Sequence, residues 1–397
     1  MDVSKNDLLK DYMKTICTVI YYLGHGDCWY ENRSQNKLQQ QLYQIWMVIS
    51  NSYAFSFTIN EFLAHSRSDL NDKEKNDLIQ FTIAHSMLSA KIILTLIEKK
   101  RIAKVLERLL EGTRSIYVSR EMDKACVKRS ARLCVAVVLV TYITVLASTI
   151  DGIRTYFTEG VAIRTEVTLY PAPSGSGLAV NIFRFFVQFH WWYIVSSMLA
   201  IDSLCISSLV IVGCKFKLLQ EYFTSLRDMV LDNTESKSRK ELEDDFRNDF
   251  VVGIRMHEDA LWCAKNVQVA LGNLYSVQVF ESVTLLVMCL IKLVAVEHSL
   301  SFLLANSVYI ACLILLTGAY MMPAGDITYE ASQMSMAIFH SGWELVSCRR
   351  DLRVLVVLAL QRSQVPVSMC AFGIFTMSYT NFISVIRSSY SFFAVMY

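Results

Sequence analysis

The sequence predicts an all-α membrane protein with seven transmembrane helices, an intracellular N-terminus, an extracellular C-terminus and helical cytoplasmic extensions that form an assembly domain. Three observations carry this expectation. The 397-residue chain is 53% hydrophobic and only 19% charged, against about 25% charged residues in a typical soluble domain. Its apolar runs repeatedly reach the ~20 residues needed to cross a bilayer. Its basic residues fall on alternate connections. The 14 Gly and 4 Pro leave little room for the turns of a large β protein, and a net charge of +2 does not suggest a nucleic-acid partner.

The spans follow in order. The first runs from Leu42 to Phe62 and is uncharged until Glu61. The second, Leu78 to Ile97, holds His85 and Lys91. The third is Leu133 to Ile150, with its helix able to continue to Tyr156. The fourth is long, Leu178 to Cys214, interrupted by Arg184 and Asp202. The fifth, Val267 to Val296, carries Glu281 near its middle. Ser299 to Gly325, the sixth, has no charge, and the seventh is Val367 to Tyr397, broken only by Arg387. The N-terminal tail lacks a convincing signal peptide, so the first span is expected to act as the insertion signal.

Loop charge sets the orientation. The tail and the 98–133, 214–266 and 323–366 connections hold 29 of the 38 Lys and Arg residues, and the alternate connections hold seven. The basic stretches are expected in the cytoplasm, with the C-terminus outside, opposite to a G-protein-coupled receptor. This divides the chain into a cytoplasmic segment (1–40), spans one to four (41–213), a cytoplasmic helical extension (214–266), spans five and six (267–325), a second cytoplasmic segment (326–366) and the last span (367–397).

The extension is helical by its periodicity. Leu219, Tyr222, Phe223, Leu226 and Val230 form one stripe, and Leu242, Phe246, Phe250, Ile254, Leu261 and Ala264 form another. The polar turn Asn233–Arg239 separates them, so an antiparallel pair is expected. The pattern fits a self-contained hairpin or a subunit-assembly platform equally well. Leu352 and Leu355 in the second cytoplasmic segment are expected to serve the same platform.

No catalytic constellation emerges. His257-Glu258-Asp259 lacks the second histidine of a zinc-protease helix. Gly175 and Gly177 belong to a Pro- and Ser-rich turn rather than a nucleotide loop. Asn32-Arg33-Ser34 is a glycosylation acceptor that a cytosolic tail would silence. The 11 cysteines show no C-x-x-C spacing, so free thiols are expected, although Cys17 and Cys28 can pair in principle. No enzyme activity, metal or cofactor is expected.

Ionisable residues within spans are costly and need partners. Lys91 lies close enough to the cytoplasmic end of its helix to snorkel. Asp202 is expected to face protein, and Glu281 to pair with another helix. Arg387 faces a partner or a water-filled path. Aromatic and polar residues gather in the outer halves of four spans: Phe81 and His85; Tyr142, Val145 and Ser148; Phe186, His190 and Tyr193; and Tyr309. Such a lining suits a small volatile ligand, and ordinary packing with an interfacial aromatic belt accounts for it too. On the last span Asn381, Ser384, Ser388 and Ser391 share a face, which can serve tight helix packing or line a hydrated path.

The C-terminal third resembles the insect odorant receptor family. The resemblance rests on Ser341-Gly342-Trp343, Arg349-Arg350-Asp351-Leu352, Gln361-Arg362-Ser363-Gln364 and Pro366, then Ala371, Gly373, Phe375 and Ser378, then Phe382, Ile386, Ser389-Tyr390-Ser391 and Phe393. Upstream the likeness is looser and includes Asp202 and Leu204. The sequence departs from the pattern at Phe372, where glycine is common, at Thr376, where proline is frequent, and at Asn381, where threonine is usual. These departures and the short 214–266 connection point to a tuning subunit rather than the shared co-receptor.

The resemblance implies an odorant-gated, non-selective cation channel in the plasma membrane of a sensory dendrite. It implies a heterotetramer with a co-receptor subunit, contact with membrane lipid and permeating cations, and a volatile ligand in the outer bundle. It also implies that the last helix lines the central pore, with Asn381, Ser384, Ser388 and Ser391 on its central face and Val395 at a hydrophobic constriction. The alternatives are a gustatory-type channel of the same superfamily, a transporter or a G-protein-coupled receptor.

Overall fold

The computed structural model describes residues 7–70, 72–112, 116–159, 167–171, 177–295, 300–346 and 349–396. They form α1 (Leu8–Tyr22), α2 (Lys37–Ala64), α3 (Asp72–Glu111), α4 (Arg120–Glu159), α5 (Leu178–Asn233), α6 (Arg239–Ala295) and α7 (Leu300–Phe339). The short α8 (Trp343–Val346) and α9 (Arg350–Ser363) follow, then strands β1 (Cys370–Ala371) and β2 (Phe375–Thr376), and finally α10 (Tyr379–Met396). The all-α expectation holds. Helices α3 to α7 each contain a stretch long and apolar enough to cross a membrane. Helices α2 and α10 occupy the first and seventh expected spans. At 18 residues, α10 measures about 27 Å, close to the hydrocarbon thickness of a bilayer.

The core of the bundle is α5, flanked by α4, α6 and α7. From Leu199 to Gly213 nearly every α5 side chain is buried. A helix apolar on all sides belongs in the interior, and α5 is enclosed accordingly. Beyond the expected spans, α5 and α6 run on without a break as an antiparallel hairpin. Its turn ends in a capping box: Glu241 Oε2 accepts from Ser238 N at 3.0 Å, and Glu241 N donates to Ser238 Oγ at 3.4 Å. Phe223, Phe246 and Phe250 zip the two arms, with Phe223 and Phe250 crossing edge to face at 5.6 Å. Gly253 makes the close approach possible, since a Cβ there would lie 2.8 Å from the Phe223 ring. Both apolar stripes of the hairpin are thus largely covered within the chain.

Three boundaries differ from expectation. Within the first expected segment, the described residues 7–40 include a packed helix and the start of α2. Helix α1 packs on α4 and α5, burying Met13, Cys17 and Ile20. It runs from Lys10, which binds Glu111 at 2.8 Å near the end of α3, to Leu23, whose carbonyl accepts from Tyr193 Oη at 2.8 Å in the middle of the expected fourth span. Helix α7 continues through Pro323 and Gly325 to Phe339, so the helix of the sixth span runs on without a break into the expected second cytoplasmic segment. The last helix starts at Tyr379, not Val367.

The residues before α10 form a hairpin instead, with Cys370 opposite Thr376 and Ala371 opposite Phe375. Phe372 and Gly373 take φ of 55° and 70° at its tip, and Ile374 N returns to Ala371 O at 3.3 Å. Two consecutive positive φ values are the signature of a type I′ turn. Phe372 therefore occupies a left-handed position, which is why glycine suits this site. Gln268 grips β1 from both sides, accepting from Cys370 N at 2.9 Å and donating to Cys370 O at 2.8 Å. Tyr379 Oη donates to Asp326, which also pairs with Arg129, and the Tyr379 ring lies against Gly325. These contacts seat the start of α10 on α7.

Among the described residues the cysteines are free, Cys17 and Cys28 included. Burial pushes the Cys28 thiol up to about 12, with Asp27 adding to the effect.

Candidate ligand cavity and its polar floor

A cavity of about 220 Å³ opens between α3, α4, α5, α6 and α7. Asp77 near the start of α3, Ser148 late on α4 and Lys292 late on α6 all line it, so it lies toward the end of the bundle opposite the α5–α6 turn. Its wall is mostly apolar: Ala84, Leu88, Val145, Ile194, Val195, Met198, Leu285, Leu313 and Leu316, with the rings of Phe81, Trp191 and Tyr309. Gln80, Thr141, Thr144, Ser148 and Asn306 add scattered polar groups. A concave, largely apolar space with a few polar anchors is the usual form of a small-molecule site.

The structure brings together five of the nine residues singled out for a ligand: Phe81, His85, Val145, Ser148 and Tyr309. The other four face elsewhere. Phe186 is 50% exposed on the outside of α5. His190 is buried against α2, stacked on Phe57 at 4.5 Å between ring centroids. Tyr193 reaches the Leu23 carbonyl, and Tyr142 bonds Ser196 at 2.8 Å while stacking on Trp192. The one-turn spacing of 186, 190 and 193 does define a face of α5, but it packs toward α2. The cavity face is the neighbouring stripe Trp191, Ile194, Val195 and Met198, about 100° further round the helix.

Below the cavity lies a buried polar network. Lys91 Nζ donates to Asp202 Oδ1 at 3.1 Å, approaches Glu281 Oε2 at 3.0 Å and also donates to Gln278 Oε1. Tyr320 Oη donates to Asp202 Oδ1 at 2.6 Å, and Gln278 Nε2 donates to Ser282 Oγ at 2.9 Å. Lys91 and Asp202 are completely buried. Lys91 does not snorkel. Two carboxylates on α5 and α6 hold it, and an ammonium already paired in the interior gains nothing by extending to the membrane surface. Asp202 and Glu281 pair across helices as their positions suggested. A second buried pair, His85 Nδ1 with Glu61 Oε2 at 2.7 Å, ties α3 to α2 beside the cavity. Glu281 reaches both the network and the cavity wall. Its charge in mid-span marked it as needing a partner, but nothing in the sequence placed it at a ligand site.

The side chains of α10 divide by burial, and the residues proposed for a pore fall on the exposed or half-buried side. Val385 and Ser389 pack inward, whereas Ser384, Ser388 and Ser391 are exposed and Asn381 is half-buried, donating to Thr376 O at 2.6 Å. The serine stripe is therefore not the face that packs α10 on its own bundle. The side chain of Val395 lies outside the described residues.

This bundle of long apolar helices around a largely apolar cavity has the architecture of a multi-pass helical membrane protein. The sequence profile described as 7tm odorant receptor matches residues 73–390, and the chain belongs to that family. Family membership makes it a receptor of the ligand-gated channel kind rather than an enzyme. The insect olfactory receptor OR5 from Machilis hrabei in complex with eugenol superposes with a TM-score of 0.81 at 12% identity, covering 98% of this chain and 97% of that one. The structure of the same receptor described without eugenol gives 0.79, again at 12% identity, with 98% of each chain covered. At that identity the likeness establishes the fold. No curated protein sequence matches.

Proposed function

We propose that the chain is the tuning subunit of an odorant-gated, non-selective cation channel, binding a small volatile in the cavity and opening a central pore with a co-receptor. The observation that carries this reading is the cavity itself, a mostly apolar, ligand-sized space inside a bundle of the odorant receptor family. The eugenol complex of the Machilis hrabei receptor supports it, because a neighbour in fold takes a small phenol.

The membrane orientation in this reading follows loop charge. The α5–α6 hairpin, whose 214–266 stretch carries nine Lys and Arg residues, and α9 lie in the cytoplasm, and the cavity opens toward the outer leaflet of the plasma membrane. Helix α10 lines the pore with Asn381, Ser384, Ser388 and Ser391, and its exposed serine face supports that role. Val395 is assigned to the constriction, where an apolar ring closes a pore by dewetting.

The test is current recorded from cells expressing the chain with and without a co-receptor under a panel of volatiles. Ligand-evoked cation current only in the co-expressing cells is expected. Evoked current that requires a G protein, or a C-terminal epitope that stains only after permeabilisation, overturns the reading.

A further inference from the structure

The apolar wall of the cavity is interrupted by a carboxylate whose charge the fold answers only in part. Glu281 is 4% exposed and lines the cavity. Its Oε2 lies 3.0 Å from Lys91 Nζ but accepts no hydrogen bond among the described residues. Lys91 Nζ lies at ion-pair distance from both carboxylates, 3.1 Å from Asp202 and 3.0 Å from Glu281, and also donates to Gln278. Asp202 receives a further one from Tyr320. One ammonium thus serves two carboxylates, and Glu281 is the less satisfied of the two.

The other charged groups of the lining do not correct the imbalance. Asp77 and Lys292 pair with each other, and His85 is engaged by the Glu61 carboxylate. The remaining excess is negative and sits at Glu281. An uncompensated carboxylate in a poorly solvated interior favours any cation that can reach it. Phe81, Trp191 and Tyr309 share the same wall, and aromatic ring faces attract ammonium groups.

We propose that the cavity selects small amines, bound as ammonium ions with the nitrogen at Glu281 and the hydrocarbon body against the apolar wall around Leu285 and Leu313. This inference rests on the cavity being the ligand site. It names the ligand class that the site prefers.

The experiment is dose–response recording from the full chain co-expressed with a co-receptor, using 2-phenylethylamine, 2-phenylethanol and ethylbenzene as near-isosteric probes. The amine is expected to be at least about tenfold more potent than the alcohol, since a charge-assisted contact outweighs a neutral one. Glu281→Gln should collapse the amine-to-alcohol potency ratio toward one, whatever it does to the absolute potency of each probe, and Glu281→Asp should keep that ratio. Surface labelling shows whether each variant reaches the membrane. If Glu281→Gln does not, the wild-type ranking decides, and an amine no more potent than its alcohol overturns the inference. Leu313→Trp, which fills the cavity, separates the two levels. If it abolishes every response while amine and alcohol are equipotent, only the amine preference falls. If it leaves every response intact, the cavity is not the ligand site.

Discussion

Lys91 on α3 and Asp202 on α5 meet at 3.1 Å in the interior of the bundle, with both side chains fully buried. Removing one member of such a pair leaves the other charged and unsolvated, which costs about 3–5 kcal/mol. Lys91→Met is therefore expected to abolish surface expression or to lower thermal stability strongly in detergent. Adding Asp202→Asn and Glu281→Gln to Lys91→Met should recover part of the loss, because no lone charge then remains. A single Lys91→Met variant that matches wild type in a melting assay refutes the pairing.

Assembly through the cytoplasmic helices makes a different prediction from the one the sequence alone suggested. Leu352 is fully buried and Leu355 packs on the core, so both belong to the subunit itself. Val354, Val357 and Leu358 lie on the opposite face of α9 and are 50–61% exposed. Leu352→Ser should destabilise the chain by about 3 kcal/mol or more through the cavity it leaves. The Val357→Ser, Leu358→Ser double variant should instead leave the subunit folded and weaken co-purification with the co-receptor. Unchanged co-purification shows that this face is not the contact.

Much of the fold was legible because it follows from periodicity and charge, which are local. The stripes of Leu219–Val230 and Leu242–Ala264 predicted the α5–α6 hairpin, and the polar turn at Asn233–Arg239 marked its tip. What stayed hidden depended on which helices meet. Lys91 near a helix end reads as a residue free to reach water, and only the approach of Asp202 and Glu281 from α5 and α6 shows that it is held. The fourth-span aromatics were legible as a face, but the choice between α2 and the cavity as its neighbour is tertiary. The residues before α10 read as helix because Val367–Thr376 are apolar, yet Gly373 and the docking of β1 on Gln268 turn them into a hairpin.

The cytoplasmic hairpin should be acid-sensitive through His257. Burial, assisted by the positive field of Arg362, lowers its pKa from 6.5 to about 4. In the unfolded chain the imidazole takes its proton near pH 6.5, and in the folded chain only near pH 4. The unfolded state thus binds more protons between those values, so stability falls as pH drops from 6.5 toward 4 and is unaffected by this group above 6.5. His257→Gln should flatten that part of the stability–pH curve measured by thermal melting. A wild-type curve with no slope between pH 6.5 and 4, or a variant with the same slope, counts against it.

The assignment of the ion path to α10 predicts a periodic pattern of accessibility. Cysteines placed at Ser384, Ser388 and Ser391 should react with charged thiol reagents and reduce current, while cysteines at Val385 and Ser389, which pack inward, should not. Val395→Ser should raise ligand-independent current or alter ion selectivity, since a polar ring no longer dewets the constriction. Currents indifferent to substitution at both 391 and 395 mean that another helix lines the pore.

The fourth span offers the sharpest test of the cavity, because two faces of α5 lie only about 100° apart and make opposite predictions. Trp191, Ile194, Val195 and Met198 point into the cavity, whereas Phe186 is exposed and His190 and Tyr193 pack toward α2 and the α1 end. Removing Trp191 as Trp191→Leu widens the cavity and deletes one of the aromatic rings in its wall. The order of potency across a ligand panel should therefore shift toward larger volatiles, by about tenfold for the ligands most affected, which is ~1.4 kcal/mol of binding. Phe186→Leu touches lipid-facing surface and should leave both ranking and expression unchanged. Tyr193→Phe removes the hydrogen bond that holds the Leu23 carbonyl and should lower stability by about 1 kcal/mol without reordering ligands. Dose–response ranking and surface labelling on the three variants separate these outcomes. If Phe186→Leu reorders ligands and Trp191→Leu does not, the helix presents its other face to the ligand.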